Sequence, residues 1–264
     1  MKILGILNVT DDSFSDGGRY LDPAAAAFHA RAMAQSGADI IDIGAASSNP
    51  EAAPVAPETE IARLAAVLPD MDGLPVSIDS FSTPVQRWAL AQDVEYLNDI
   101  HGFADPALYP GLAKAKCKLI VMHMVQARGV AVRTDVPPAE IFGRVTAFFD
   151  ARLAALAQAG IARERLILDP GMGQFVGADP ENSLILLRRL PELKARYGLP
   201  VLVSVSRKGF LRRLAGRPAT EAGAASLAAE LFARAQGADF IRTHAPGPLR
   251  DGIKVLKEIE KDRR

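Results

Sequence analysis

The stretch KILGILN, Lys2–Asn8, sets Ile3, Leu4, Ile6 and Leu7 around a glycine and then stops on an amide. A run this short and this apolar reads as a parallel strand buried on both faces. Its polar last residue marks where such a strand leaves the core. Seven further runs follow the same design: DIIDIG (39–44) passing through Asp42, PVSID (75–79) ending at Asp79, VEYLND (94–99) ending at Asn98 and Asp99, and KLIVMH (118–123) ending at His123. RLILD (165–169) ends at Asp169, PVLVSVS (200–206) at Ser206, and ADFIRTH (238–244) carries Arg242 and His244. Ala- and Leu-rich stretches with helical spacing separate them. Spread over 264 residues, eight units of about 33 residues each leave room for a strand, a helix and two loops. The pattern predicts an α/β fold, a single-domain (β/α)8 TIM barrel over residues 1–264. In such barrels the loops leaving the C-terminal strand ends build the active site.

Bulk composition narrows the function. With 49% hydrophobic residues the chain can bury a large core, and 31 basic residues balance 31 acidic ones. That balance offers no electrostatic footprint for nucleic acid or an anionic membrane, so small-molecule substrates are the expected partners. The lone Cys117 cannot form an internal disulfide, and the opening MKILGILNV runs into polar residues too soon for a secretory leader. No run reaches the roughly 20 apolar residues of a membrane span, and the expected compartment is the cytoplasm.

Cap signals place the helices. Asp22 and Pro23, Thr83 and Pro84, Asp105 and Pro106, and Asp179 and Pro180 each pair a capping side chain with a first-turn proline. A helix is expected from near Glu58, another over 139–159, and a last one from about Pro248. The longest connections, 9–20, 45–57 and 124–138, all follow strands and fall on one face; the first two are long enough to act as lids.

Asp79, Asn98 and Asp169 end neighbouring strands, and Lys208 lies just past the seventh run. Carboxylates and an amide converging on a barrel mouth can read a flat heterocycle with several N–H donors, a pterin or a purine. The alternative for each Asp is a cap on the loop that follows it. Barrel closure makes the first and last strands neighbours, bringing Asn8 toward Arg242 and His244. That set suits a phosphate or diphosphate, and Asn8 can offer its carbonyl oxygen to Mg2+ beside substrate phosphates. Ser206, Arg207, Lys208 and Gly209 sit where a strand hands over to a helix, a place that attracts anions. GMGQFVG departs from the dinucleotide fingerprint, no GK[ST] follows a glycine-rich loop, and four histidines without close spacing argue against zinc. Cys117 reads as a small buried residue and Met122 as a pocket wall.

Taken together, GILNVTDDSFSDGG (5–18), SIDS (77–80), YLNDIHGF (96–103), LILDPGMG (166–173), SVSRK (204–208) and IRTH (241–244) closely resemble the dihydropteroate synthase family, in order and from about residue 3 to residue 258. The resemblance implies an enzyme of folate biosynthesis that condenses 6-hydroxymethyl-7,8-dihydropterin diphosphate with p-aminobenzoate, releases diphosphate and uses Mg2+. It implies that Asp79, Asn98, Asp169 and Lys208 hold the pterin with Met122 against it. It further implies that Asn8, Arg242 and His244, with Ser48, hold the diphosphate, that Asp16 and Phe14 contact p-aminobenzoate, and that the chain forms a homodimer.

The chain departs from the family's usual pattern where the second substrate is expected. Gly-Glu-Ser-Thr-Arg-Pro becomes Ala45 to Pro50 with Asn49 in place of the arginine, SRKS becomes SRKG at Gly209, and the aromatic after DPGxG gives way to Gln174 with Phe175 next. These features resemble the sulfonamide-insensitive branch, and reduced sulfonamide affinity with p-aminobenzoate use retained is the expectation. Two other readings are a pterin-dependent methyltransferase, which would not need Asn8, Arg242 and His244 as a diphosphate set, and a non-catalytic pterin- or diphosphate-binding protein.

Overall fold

The computed structural model describes residues 1–10, 22–47, 52–71, 73–126 and 134–261. Its eight strands are β1 (Lys2–Asn8), β2 (Ile40–Gly44), β3 (Val76–Asp79), β4 (Tyr96–Asp99), β5 (Lys118–Met122), β6 (Leu166–Asp169), β7 (Leu202–Val203) and β8 (Phe240–Thr243). All ladders are parallel, in the order β6-β5-β4-β3-β2-β1-β8-β7. The first strand meets the last with Leu4 opposite Arg242, and a single parallel bridge from Leu168 to Val201 joins the two ends of the sheet. The expected (β/α)8 barrel is therefore the observed one.

Ten helices among the described residues surround it: α1 (Pro23–Ser36), α2 (Pro57–Val67), α3 (Thr83–Leu90), α4 (Tyr109–Lys114), α5 (Pro138–Gln158), α6 (Pro180–Arg188), α7 (Leu190–Tyr197), α8 (Gly209–Ala215), α9 (Gly223–Ala235) and α10 (Pro246–Glu260). Asp22, Asp105 and Asp179 each accept the backbone N–H two residues on, the arrangement the cap signals predicted. Four details differ from the sequence expectation. Thr83 does not cap α3: the N-cap is Ser82, without a side-chain cap bond, and the Thr83 hydroxyl donates to Asp105 instead. The Asp105 cap opens a 3-10 turn over Pro106–Leu108 before α4 begins. The sixth helical region divides into α6 and α7, where Pro191 enters the first turn of α7. The last helix starts at Pro246 rather than Pro248, because Pro246 already suits a first turn.

Two apolar layers arise from the two-residue period of the strands. Leu4, Ile40, Tyr96, Ile120, Ile167, Leu202 and Phe240 form the plug inside the barrel. Their immediate neighbours, Ile3, Ile41, Leu97, Leu119, Leu166, Leu168, Val203 and Ile241, belong to the larger core shared with the helices. Two residues above the plug, the inward positions turn polar at Asp42, Asn98, Asp169, Ser204 and Arg242.

The opposite, N-terminal end also uses carboxylates, but each is consumed by backbone. Asp39 accepts the Ile3 N–H and pairs with Arg250; Glu95 accepts the Val76 N–H; Asp239 accepts the Val201 N–H and pairs with Lys194. Each acid lies one residue before its own strand and ties the start of a neighbouring strand to it.

β7 is shorter than the run PVLVSVS, since the Val205 carbonyl accepts the Lys208 N–H at 3.1 Å and Arg207 takes φ 56°. Beyond β6 the chain turns through Gly171 at φ 74°, where an added Cβ would stand 2.4 Å from the His123 carbonyl oxygen. Gly160 has a similar φ of 77° and open space around it. Gly160→Ala is expected to cost about 1–2 kcal/mol of left-handed strain. Gly171→Ala adds overlap with backbone, a further cost of about 1–3 kcal/mol, readable as a larger fall in urea midpoint.

Candidate active site

Register aligns the mouth. Asn8 stands opposite Gly44, Gly44 opposite Asp79, and Asp79 opposite Asn98, so four neighbouring strands end on one level. Gly44 leaves a gap in that row: a Cβ there would lie 3.7 Å from Asn8 Oδ1 and 3.8 Å from the Asp79 Cβ. Farther round, Met122 stands opposite Asp169.

Arg242 rises from β8 at the level of Leu4 and reaches across the barrel to two carboxylates, Nε to Asp42 and Nη2 to Asp79. Its two carboxylate partners are on β2 and β3; β1, which carries Asn8, lies between β8 and β2. Asp42 is fully buried and its Oδ1 has no partner. In the sequence Asp42 looks like a stray polar residue inside an apolar run. The signal was its parity: two residues beyond Ile40 it must point into the barrel. Burial pushes the Asp79 carboxyl up against the pull of Arg242, with Asp42, Glu60 and Asp99 adding to the rise.

Asn98 and Asp169 complete an acceptor floor. Asn98 is 3% exposed and its Oδ1 has no hydrogen-bond partner. Asp169 accepts the Gly171 N–H at 2.8 Å; burial raises it to about 6, against the lowering pull of that N–H, Lys208 and Arg242. Lys208 bears on the same group, with its Nζ 4.4 Å from the centre of the Phe175 ring, a cation–π distance. Burial and Arg242 bring its ammonium down to about 8, with Asp169 and Asp79 opposing. Gly173, at φ 68°, lets the Lys208 stem approach; a Cβ would stand 3.4 Å from the Lys208 Cδ. Ile100, Met122, Met124 and Phe175 pack into an apolar wall with Phe81 against it.

Past β7, Ser206 faces His244 at 3.1 Å from its Nδ1, and the Arg207 N–H is bound by the Ser226 hydroxyl. Gly209 opens α8, which has only seven residues. So short a helix has little dipole to offer, and anion attraction there falls to Arg207 and Lys208. Gln174 is half-buried in the 3-10 turn Gly173–Val176. His123 is buried, hydrogen-bonded to the Pro170 carbonyl and brought down to about 4 by burial. Cys117 is buried and free, as expected. Phe14, Asp16, Ser48, Asn49 and Pro50 lie outside the described residues.

Removing one partner of a buried ion pair leaves an uncompensated charge and costs about 3–5 kcal/mol. Arg242 keeps Asp79 when Asp42 is lost, so Asp42→Ala is expected at the lower end, about 3 kcal/mol, measured by urea unfolding.

Residues 4–244 match the family model of pterin-binding enzymes. The chain is 59% identical to dihydropteroate synthase type-2 of Escherichia coli, over 99% of this chain and 97% of that protein. It is 50% identical to dihydropteroate synthase type-1 of the same organism, over 100% and 95%. The crystal structure of the Yersinia pestis dihydropteroate synthase with a sulfonamide drug complex superposes with TM-score 0.90 at 30% identity, covering 98% of this chain and 93% of that one. A full-length match in sequence, a common barrel and a polar mouth built from the matched motifs agree: the chain belongs to the pterin-binding enzymes and, among them, to the dihydropteroate synthases.

Proposed function

We propose that Asp79, Asn98 and Asp169 hold the pterin ring of 6-hydroxymethyl-7,8-dihydropterin diphosphate, with Lys208 above and the Met122–Phe175 wall beside it. One observation carries this reading: the floor offers acceptors in excess of donors, and the Oδ1 of buried Asn98 has no protein partner. A pterin edge supplies the missing N–H groups. Buried acceptors left unpaired are costly, so a ring N–H donated to Asn98 Oδ1 satisfies an acceptor that the protein itself does not.

In this reading diphosphate leaves first. The bond between the pterin methylene and the bridging oxygen breaks, its electron pair goes to diphosphate, and the cation left on carbon is delocalised into the ring. The neutral arylamine of p-aminobenzoate then forms the new C–N bond and loses a proton. An arylamine is nucleophilic without a strong base, so the main demand is stabilising charge on the leaving group. Arg242 spends Nε and Nη2 on carboxylates, and its Nη1 is left for a phosphate oxygen. His244, Arg207 and Ser206 flank the same side, and Ser48 is assigned to the diphosphate by the family resemblance.

The donor chemistry of Asn8 fits Mg2+, because its Oδ1 stands over the gap at Gly44 and one protein oxygen beside substrate phosphates is a common Mg2+ arrangement. Bound there, the ion would neutralise developing diphosphate charge. Asp16 and Phe14 of the loop after β1, Pro50, Gln174, Phe175 and Gly209 are assigned to the p-aminobenzoate side. No described helix is long and apolar enough to cross a membrane; a cytoplasmic homodimer belongs to the same reading.

Asp169→Asn keeps the shape and removes the charge that pairs with ring N–H groups. It should lower kcat/KM for the pterin diphosphate about 10–100-fold, the worth of a hydrogen bond to a charged group, in an assay of diphosphate release. An unchanged kcat/KM would place the ring elsewhere.

Reduced sulfonamide affinity is the second part of the proposal, supported by Asn49, Gln174 and Gly209 replacing the family's usual residues. Moving an aromatic side chain by one position can obstruct a larger competitor and spare a smaller substrate. The ratio of sulfonamide inhibition constant to p-aminobenzoate KM is expected to exceed that of the Yersinia pestis enzyme by about tenfold or more, a difference of about 1.4 kcal/mol. Equal ratios would reject it.

A further inference from the structure

Lys208 reaches the mouth from a turn rather than from a strand, so no ladder fixes where its side chain goes. The turn is tight. The Lys208 N–H donates to the Val205 carbonyl at 3.1 Å, the Lys208 carbonyl accepts the Leu211 and Arg212 N–H groups of α8, and Arg207 stands at φ 56°. A left-handed φ is unfavourable for a residue with a Cβ, so a specific contact must hold Arg207 there. Its N–H donates to the Ser226 hydroxyl at 2.9 Å.

Ser226 is 5% exposed and lies on the buried face of α9 with Glu230 and Ala233. The hydroxyl spends its hydrogen on the Ala222 carbonyl one helical turn back, at 2.7 Å. A hydroxyl has one hydrogen and two lone pairs, so toward Arg207 it acts only as an acceptor.

The surface against which Lys208 lies is built in the same way. Gly173, at φ 68°, opens the 3-10 turn Gly173–Val176, and its N–H donates to the fully buried Ser183 hydroxyl of α6 at 2.9 Å. The neighbouring Asn182 holds the far end of that turn, donating from Nδ2 to the Val176 carbonyl at 2.9 Å. Between these ends the turn presents the Gly173 backbone and the Phe175 ring. A Cβ on Gly173 would stand 3.4 Å from Lys208 Cδ, and Lys208 Nζ lies 4.4 Å from the ring centre, within cation–π reach.

We propose that Ser226 and Ser183 are positioning residues that place the Lys208 ammonium over the Phe175 ring. Ser226 sets the turn that carries the lysine, and Ser183 sets the turn that carries the ring. A helical serine bonded to the carbonyl four residues back is common and by itself says little. Here the oxygen of that serine also meets the N–H at a left-handed bend one residue before Lys208. Without the hydroxyl this N–H loses its acceptor, which is costly away from water, and the bond no longer offsets the strain at Arg207. Relaxation of Arg207 toward negative φ redirects the lysine that follows.

The placement of Lys208 stands on these contacts alone, while its effect on turnover rests on the reading above that Lys208 holds the pterin. In the full-length protein with 13C-labelled lysine, the Lys208 signal is identified by its loss in Lys208→Arg. Its ε-methylene protons should resonate upfield of those of exposed lysines, because they lie over the face of an aromatic ring. Ser226→Ala and Ser183→Ala should each move the signal toward the exposed position, with far-ultraviolet circular dichroism checking that each variant is folded. A wild-type signal that coincides with exposed lysines, or a folded alanine variant that keeps the wild-type position, would overturn the proposal. KM for the pterin diphosphate should rise about 3–10-fold in each alanine variant, the worth of one hydrogen bond, with kcat changed less, as loss of uniform binding requires. If the signal moves while KM does not, the two serines stand as positioning residues and the placement of the pterin on Lys208 falls.

Discussion

One guanidinium ties the mouth of this barrel together. Arg242 leaves β8 beside Leu4, inside the apolar plug, and ends between Asp42 of β2 and Asp79 of β3. A cation buried among carboxylates is a poor source of net stability, since desolvation offsets much of the attraction. It does make the positions of three strand ends depend on one another. Removing Arg242 leaves the fully buried Asp42 carboxylate without its partner. The level of Asn8, Gly44, Asp79 and Asn98 across four strands is the geometric expression of that constraint.

Acidic residues occur at both ends of the barrel and behave differently for a physical reason. Asp39, Glu95 and Asp239, at the N-terminal end, face the free N–H groups where strands begin, and each binds one. At the C-terminal end the strands present carbonyls, which cannot satisfy a carboxylate. Asp79 and Asp169 therefore depend on Arg242, Lys208 and the Gly171 turn. Burial without full compensation moves their proton equilibria toward neutrality. The same rule reaches Glu230 of α9, whose carboxyl burial pushes up to about 7. Stabilising elements and functional ones thus use one chemistry and differ in which backbone group lies within reach.

Much of the fold was legible because the strand signal was strong. Eight short apolar runs with polar ends, separated by capped helical stretches, leave few arrangements other than a closed parallel barrel. Where the reading slipped, local chemistry was responsible: Pro191 divides one helical region, and the turn at Arg207 cuts PVLVSVS to a two-residue strand. For the site, Asn98, Asp169 and Lys208 were recognisable from their positions at strand ends. Asp42 was not singled out, because a lone polar residue inside an apolar run looks like a blemish until parity places it in the barrel. Glu230 was hidden for a different reason. On the Ala-rich α9 it reads as a solvated charge, whereas the structure leaves it only 2% exposed.

What the sequence by itself determined is the periodic part: strand, helix, family and the kinds of side chain delivered to the mouth. These follow from local alternation, capping and motif order, all written along the chain. Which charges meet was decided only by the tertiary structure. Arg242 and Asp42 are separated by 200 residues, and their pairing depends on the register between β1 and β8 and on the depth to which a long side chain reaches. Pattern specifies that a residue faces inward. The low dielectric and exact register of the closed barrel determine what it finds there.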